Sequence, residues 1–139
     1  MKKAFTLMEI IFVIVIIGIL AGIAIPKLGG TVEQAGIVKI KSEIQAVRSG
    51  IHSKMSTSIL ADSASCPALE GSDNGKLFDN VTDGIPPSDT SGVVWVKNDD
   101  TNYTVSYNGK STDFIYNNTI SAKCSFKCDS SDDLCKEVQ

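Results

Sequence analysis

Between Phe5 and Ile25 only Thr6 and Glu9 are strongly polar, and the run from Ile10 to Ile17 is apolar on every side. A soluble helix keeps one polar face, so this segment calls for lipid or for complete burial by other protein. As a helix, residues 5–25 would rise about 30 Å, enough to cross the hydrocarbon core of a bilayer. After Pro26 the pattern changes. Ile37, Ile40, Ile44, Val47, Ile51 and Met55 recur at steps of three or four, while Lys39, Lys41, Glu43, Arg48, Ser49 and Lys54 fall largely elsewhere. That is one face of an amphipathic helix, expected to fade through Ser56-Thr57-Ser58 ahead of Pro67. A coiled-coil seam would read similarly, but the stripe is short and lacks strict heptads. Packing against a sheet is the better expectation.

Residues 62–92 carry turn signals throughout, with a short helix or strand expected near Leu77-Phe78. Val93 to Val96 reads as a strand. Tyr103, Val105 and Tyr107 alternate with polar residues, Asn108-Gly109 follows, and then Phe114-Ile115-Tyr116, which together predict a hairpin with a tight turn. A further strand is expected over Ile120 to Phe126. Trp95 and the tyrosines suit core and cross-strand packing. The fold class is therefore α+β: a long N-terminal helix, half transmembrane and half amphipathic, on a small antiparallel sheet.

A chain of 139 residues fits one domain beyond the apolar segment and excludes a large two-lobed enzyme. The formal net charge of −3 disfavours a basic nucleic-acid binder, so no direct nucleic-acid contact is expected. The charge is polarised. Residues 27–61 sum to +3 (Lys27, Lys39, Lys41, Arg48, Lys54 against Glu33, Glu43), and residues 62–139 sum to −7, with six lysines against thirteen acids. A basic stem and an acidic head would attract neighbouring copies; a merely solvated, polarised surface would look the same.

Lys2 and Lys3 precede the apolar run and no cation follows until Lys27, which favours a cytoplasmic N-terminus and an exported C-terminal domain. A cleavable secretory signal competes, but Ile23-Ala24-Ile25-Pro26 is a poor small-residue cleavage site. A simple signal anchor leaves Glu9 unexplained. A carboxylate inside a span costs roughly 2.5–3.5 kcal/mol on insertion scales, and such a residue usually has a partner or snorkels to the surface.

Lys2-Lys3-Ala4-Phe5-Thr6-Leu7-Met8-Glu9, followed by the apolar run with Gly18 and Pro26, resembles the leader of type IV pilins and type II secretion pseudopilins. The resemblance is close over about the first 30 residues and loose along the stem. It implies a pilin-like fold and a dedicated prepilin peptidase cutting between Ala4 and Phe5, with methylation of the new Phe5 amine. The family usually has Gly before the cut, where this chain has Ala4. The resemblance also gives Glu9 a partner, the N-terminal amine of a neighbouring subunit, which would make Glu9 a registration device in assembly. It implies a helix break at Gly18, Gly22 and Pro26 in assembled filaments. From the residues alone, Pro26 should kink the helix, and Gly18 and Gly22 could admit a close neighbour. The implied partners are further copies and other pilin-like subunits, the peptidase and an inner-membrane assembly platform.

The expected organisation is a leader at 1–4, a transmembrane helix at 5–26, an amphipathic helical stem at 27–61 and a periplasmic β-rich head with disulfides at 62–139. The protein would sit in the bacterial inner membrane as a single pass before joining a filament for protein secretion or DNA uptake. The alternative is a signal-anchored periplasmic binding module that does not polymerise.

Cys66, Cys124, Cys128 and Cys135 all lie beyond the apolar segment, in what would be an oxidising compartment, so two disulfides are expected. Three pairings are open. Strand geometry puts Cys124, Phe126 and Cys128 on one face; if Asp129 to Leu134 turns back, Cys135 meets Cys128 and Cys66 is left for Cys124. The resemblance adds that a C-terminal disulfide often closes a surface loop. Major pseudopilins carry a calcium loop with an Asp-Pro-Trp-Gly-like stretch, which is missing here. Asp129, Asp132 and Asp133 do not follow EF-hand order either, so a solvated acidic loop is expected, with no metal and no cofactor. Asn80, Asn102 and Asn117 head Asn-x-Ser/Thr triplets, and Asn102, with Asp100 two positions earlier, is the candidate glycosylation site. His52 is the sole histidine and has no acid or cysteine clustered near it. With no nucleophile–base set and no phosphate loop, an enzyme is not expected.

Overall fold

The computed structural model of the chain describes residues 6–72 and 75–139, apart from the side chains of 23–32. It divides into two compact units, Met1–Ala35 and Gly36–Gln139. The first helix, α1 (Leu7–Leu60), contributes to both. It runs through Gly18, Gly22 and Pro26 without a gap, so these residues do not end the helix in the single chain. A proline deletes one backbone donor, and a long helix can bend around that loss rather than stop.

Among the described residues no helix is long and apolar enough to cross a membrane. The described side chains of the apolar stretch end at Gly22, and Leu7 to Gly22 makes about 24 Å of helix against the roughly 30 Å of hydrocarbon. The span expected at 5–26 extends beyond those residues at both ends. The leader at 1–4 lies outside the described residues altogether.

In the second unit Ile40, Ile44, Val47 and Ile51 of α1 are all buried, and Ile37 and Met55 pack partly exposed at the ends of the same stripe. They lie against one face of a four-stranded antiparallel sheet in the order β1-β2-β3-β4: β1 (Val94–Lys97), β2 (Asn102–Tyr107), β3 (Lys110–Asn117) and β4 (Ser125–Cys128). The period of two is plain. Tyr103, Val105 and Tyr107 of β2 and Thr112, Phe114 and Tyr116 of β3 point inward while their neighbours are more exposed. Tyr107 pairs with Lys110 across Asn108 and Gly109, whose φ values of 52° and 77° make the two-residue turn that fits the twist of a hairpin.

Phe78 is the hub of the core. Its ring lies 4.6 Å from Tyr103, 5.5 Å from Trp95 and 5.6 Å from Phe126. It is completely buried with φ of 59° in a turn that Leu77 and Ile85 close by pairing with each other. Helix α1 ends in a Schellman arrangement: Ser63 N–H donates to Ser58 C=O, Asp62 N–H donates to Ile59 C=O, and Asp62 takes the left-handed position at φ 56°.

One expected strand is corrected. Residues 120–126 do not form a continuous strand. Ile120–Ala122 is a 3-10 turn, Lys123 and Cys124 follow at φ 55° and 50°, and β4 starts only at Ser125. Two successive left-handed residues cannot join a β-ladder. A second helix, α2 (Asp133–Val138), was not foreseen. It buries Leu134, Cys135 and Val138 and packs over β3, with buried Thr112 donating its hydroxyl to Asp132 at 2.8 Å.

The approach of α1 to the rest of its unit depends on glycine. A Cβ on Gly50 would lie 1.8 Å from the carbonyl oxygen of Val81, and one on Gly36 would lie 2.1 Å from the Tyr107 ring. On a free helix Gly→Ala would gain about 1 kcal/mol. At Gly50 the clash with backbone reverses the sign, and Gly50→Ala is expected to cost about 1–3 kcal/mol. Urea unfolding of the detergent-solubilised chain measures this; an unchanged or raised midpoint would show that the Val81 loop gives way freely.

Candidate assembly site

The start of α1 is closed by its own side chains. Glu9 N–H donates to Thr6 Oγ1 at 3.3 Å, and Thr6 N–H donates to Glu9 Oε2 at 3.4 Å. This reciprocal pair is a capping box, satisfying two donors that a helix N-terminus leaves free. It holds the Glu9 carboxylate over the first turn, where the helix dipole favours negative charge. The signal was in the sequence as Thr6-Leu7-Met8-Glu9, four residues with the required spacing, and the reading of Glu9 as a membrane carboxylate passed over it. Ala4 and Phe5 lie outside the described residues.

Beyond the cap, α1 presents apolar side chains in every direction. Leu7 is 75% exposed, Phe12 66%, Ile14 60% and Leu20 61%, and the other large apolar residues between them are all exposed. Burying each such side chain is worth about 1.5–3 kcal/mol, so this surface has a strong drive towards lipid or neighbouring helices. The positions where a Cβ would stand on Gly18 and Gly22 are open among the described residues, with no atom within 4 Å apart from chain neighbours and the helix's own backbone.

The cysteines of the head are joined as Cys66–Cys124 and Cys128–Cys135, with Cα separations of 5.5 Å and 5.9 Å. The first bond ties the segment after α1 to the turn before β4. The second ties the end of β4 to α2. Asp129, Asp132 and Asp133 turn to different tasks: Asp129 accepts from Ser131 N–H, Asp132 from Thr112, and Asp133 pairs with Lys136. Among the described residues no group of three metal-ligating side chains forms.

Asn102 begins β2, and its side-chain nitrogen donates to Asp99 Oδ2 at 2.6 Å. That nitrogen also donates to Thr101 Oγ1 at 3.2 Å, and a glycan, which replaces one of its two hydrogens, would leave a single donor for the two acceptors. Asp99 also accepts from Thr101 and from the Asn102 backbone, and these donors hold its carboxyl down at about 2. Asp100 instead joins Lys97, which also pairs with Glu70; the two acids hold the Lys97 ammonium well above the usual lysine range. Tyr103 is pushed up by burial. On α1, Glu43 accepts the Trp95 indole N–H at 2.8 Å, and Lys39 bridges Glu43 and Asp89. His52 is exposed on α1.

The chain is 44% identical over 50 residues to type II secretion system core protein G of Klebsiella michiganensis. The match covers 36% of this chain and 35% of that protein, so the chain spans about a third of the length of the curated relative it matches. No family model and no solved structure matches.

Proposed function

We propose that the chain is a pilin-like structural subunit of a type II secretion pseudopilus or a related filament. The observation that carries the reading is the likeness to a type II secretion core protein. The capped, all-round apolar start of α1 supports it, because a surface of that kind needs a bilayer before assembly and a bundle of like helices after it. In this reading residues 1–4 are a leader, 5–26 span the inner membrane with the N-terminus cytoplasmic, 27–61 form the stem and 62–139 form the periplasmic head. The prepilin peptidase cuts between Ala4 and Phe5 and methylates Phe5. The assembly platform then draws the subunit into the filament, where the helix opens between Gly18 and Pro26. The protein's task is mechanical and not enzymatic.

The test is mass spectrometry of the mature protein. Phe5 should be the first residue and should carry one extra methyl group. An intact Met1 start, or a cut near Pro26, would leave a signal-anchored or secreted module in place of a filament subunit.

A further inference from the structure

The cations of the second unit differ in their pairing. Lys39, Lys97, Lys110 and Lys136 are each paired with a carboxylate. Arg48, Lys123 and Lys127 form no ion pair among the described residues, although residues 62–139 hold thirteen acids. These three cations come together. With His52 they line a groove of about 620 Å³ between α1 and β4, and among the described residues no Asp or Glu lines it. Lys41 and Lys54 also form no ion pair among the described residues, Lys54 donating instead to Asn80, and neither lines the groove. Ile51 and Phe126 lie beneath the cations.

Arg48 is set in place and not merely present. Its Nε donates to the Phe126 carbonyl at 3.0 Å, a carbonyl on the outermost strand of the sheet, and its remaining guanidinium donors make no other bond among the described residues. Partial burial lowers its pKa, so its charge is incompletely solvated. A half-buried fork with free donors, flanked by two lysines, is suited to a carboxylate. Gathering Arg48, Lys123 and Lys127 where no Asp or Glu side chain lines the groove is unfavourable in the free subunit, and an acidic partner removes that repulsion.

The same head carries the complement. Asp62, at the C-terminal end of α1, and Asp83, in the turn after Phe78, make no side-chain hydrogen bond or ion pair among the described residues. We propose that the α1–β4 groove receives the Asp62 and Asp83 carboxylates of a second copy of this chain, as a subunit contact of the filament. This rests on the filament reading above. A contact between two different surfaces is heterologous and repeats from copy to copy, as an open filament requires.

The test uses the full-length chain in cells, with filament yield read by electron microscopy of sheared fractions. Lys123→Glu/Lys127→Glu should leave membrane levels and Phe5 processing unchanged and should lower yield about ten-fold, and wild-type filaments should weaken as salt is raised. Asp62→Lys/Asp83→Lys should do the same, and combining all four changes should restore yield. Lys127→Glu alone, on a regular strand, guards against a folding defect at the left-handed Lys123. If wild type polymerises and the lysine reversals polymerise equally well, the contact is wrong while the filament reading stands. If yield is lost but the acid reversals do not restore it, the groove serves another partner and the proposal falls. If wild type forms no filaments, the filament reading fails. Sedimentation of the detergent-solubilised chain then decides the contact: salt-sensitive self-association abolished by the lysine reversals supports it, and any other result overturns it.

Discussion

Glu9→Ala is expected to insert and be processed normally but to build no filaments. Removing the carboxylate makes the apolar segment more apolar, so insertion is not impaired. The Ala4–Phe5 bond lies four residues away in sequence. Assembly is different, because in the proposed filament the amine of a neighbouring Phe5 would be buried without its counter-charge. Stranding one member of a buried pair costs roughly 3–5 kcal/mol, repeated at each subunit addition. The capping box adds a complication that a second variant resolves. Glu9 also closes its own helix with Thr6, and losing a cap costs about 0.5–2 kcal/mol. Glutamine serves the same position of a capping box but carries no charge. Glu9→Gln should therefore keep the first turn and still fail to assemble, while Glu9→Asp, with its charge at shorter reach, should be intermediate. Filament yield is measured beside membrane level and Phe5 methylation. If Glu9→Gln assembles like wild type and Glu9→Ala does not, the carboxylate acts as a helix cap and the registration mechanism is wrong. If both assemble normally, Glu9 has neither role.

How much of this was legible in the sequence depended on whether the signal was periodic. The stripe from Ile37 to Met55 and the alternation of Tyr103, Val105 and Tyr107 are each repeated burial decisions, and both emerged on the side of the element that faces the core. Asn108-Gly109 specified its hairpin through backbone chemistry alone. The signals that failed were single and local. Nothing in the composition of residues 120–126 marks Lys123 and Cys124 as left-handed; both are ordinary residues held there in the folded chain. Helix α2 is six residues long, too short for a period to show, and its three buried positions are set by what lies beneath them. Gly36 and Gly50 could have been noticed, since glycine beside an apolar helical stripe often marks close approach, but the atoms they admit, the Tyr107 ring and the Val81 carbonyl, are far away in sequence. The cationic groove was hidden for the same reason. Arg48 belonged to a basic stem and Lys123 and Lys127 to an acidic head, and only the fold brings them to one place.

Removing the Cys66–Cys124 bond is expected to destabilise the head about twice as much as removing Cys128–Cys135. A cross-link acts mainly on the unfolded chain, and its effect grows with the logarithm of the loop it closes. The separations here are 58 and 7 residues. On the chain-entropy argument these correspond to about 4 and about 2 kcal/mol. Cys124 sits in a left-handed turn directly before β4 and is buried, so its bond holds a strained corner against the end of α1. Without the bond that corner can relax, which lowers the free energy of the folded chain and offsets a small part of the loss, while Phe126, one residue into β4, still packs on Phe78 and Phe114. Cys128–Cys135 spans only the link from β4 to α2, and Leu134 and Val138 still anchor α2 after it is cut. A loss of about 4 kcal/mol is a large fraction of the 5–15 kcal/mol by which domains are usually stable. The comparison is between Cys66→Ala/Cys124→Ala and Cys128→Ala/Cys135→Ala in the full-length chain, by urea unfolding under non-reducing conditions. Each pair contains a thiol site that is nearly or fully buried, so the cavity cost is similar and the difference isolates the loop. Equal losses, or a larger loss at Cys128–Cys135, would show that the short bond organises the C-terminal part of the head and that the long loop is already restrained by residual structure when unfolded.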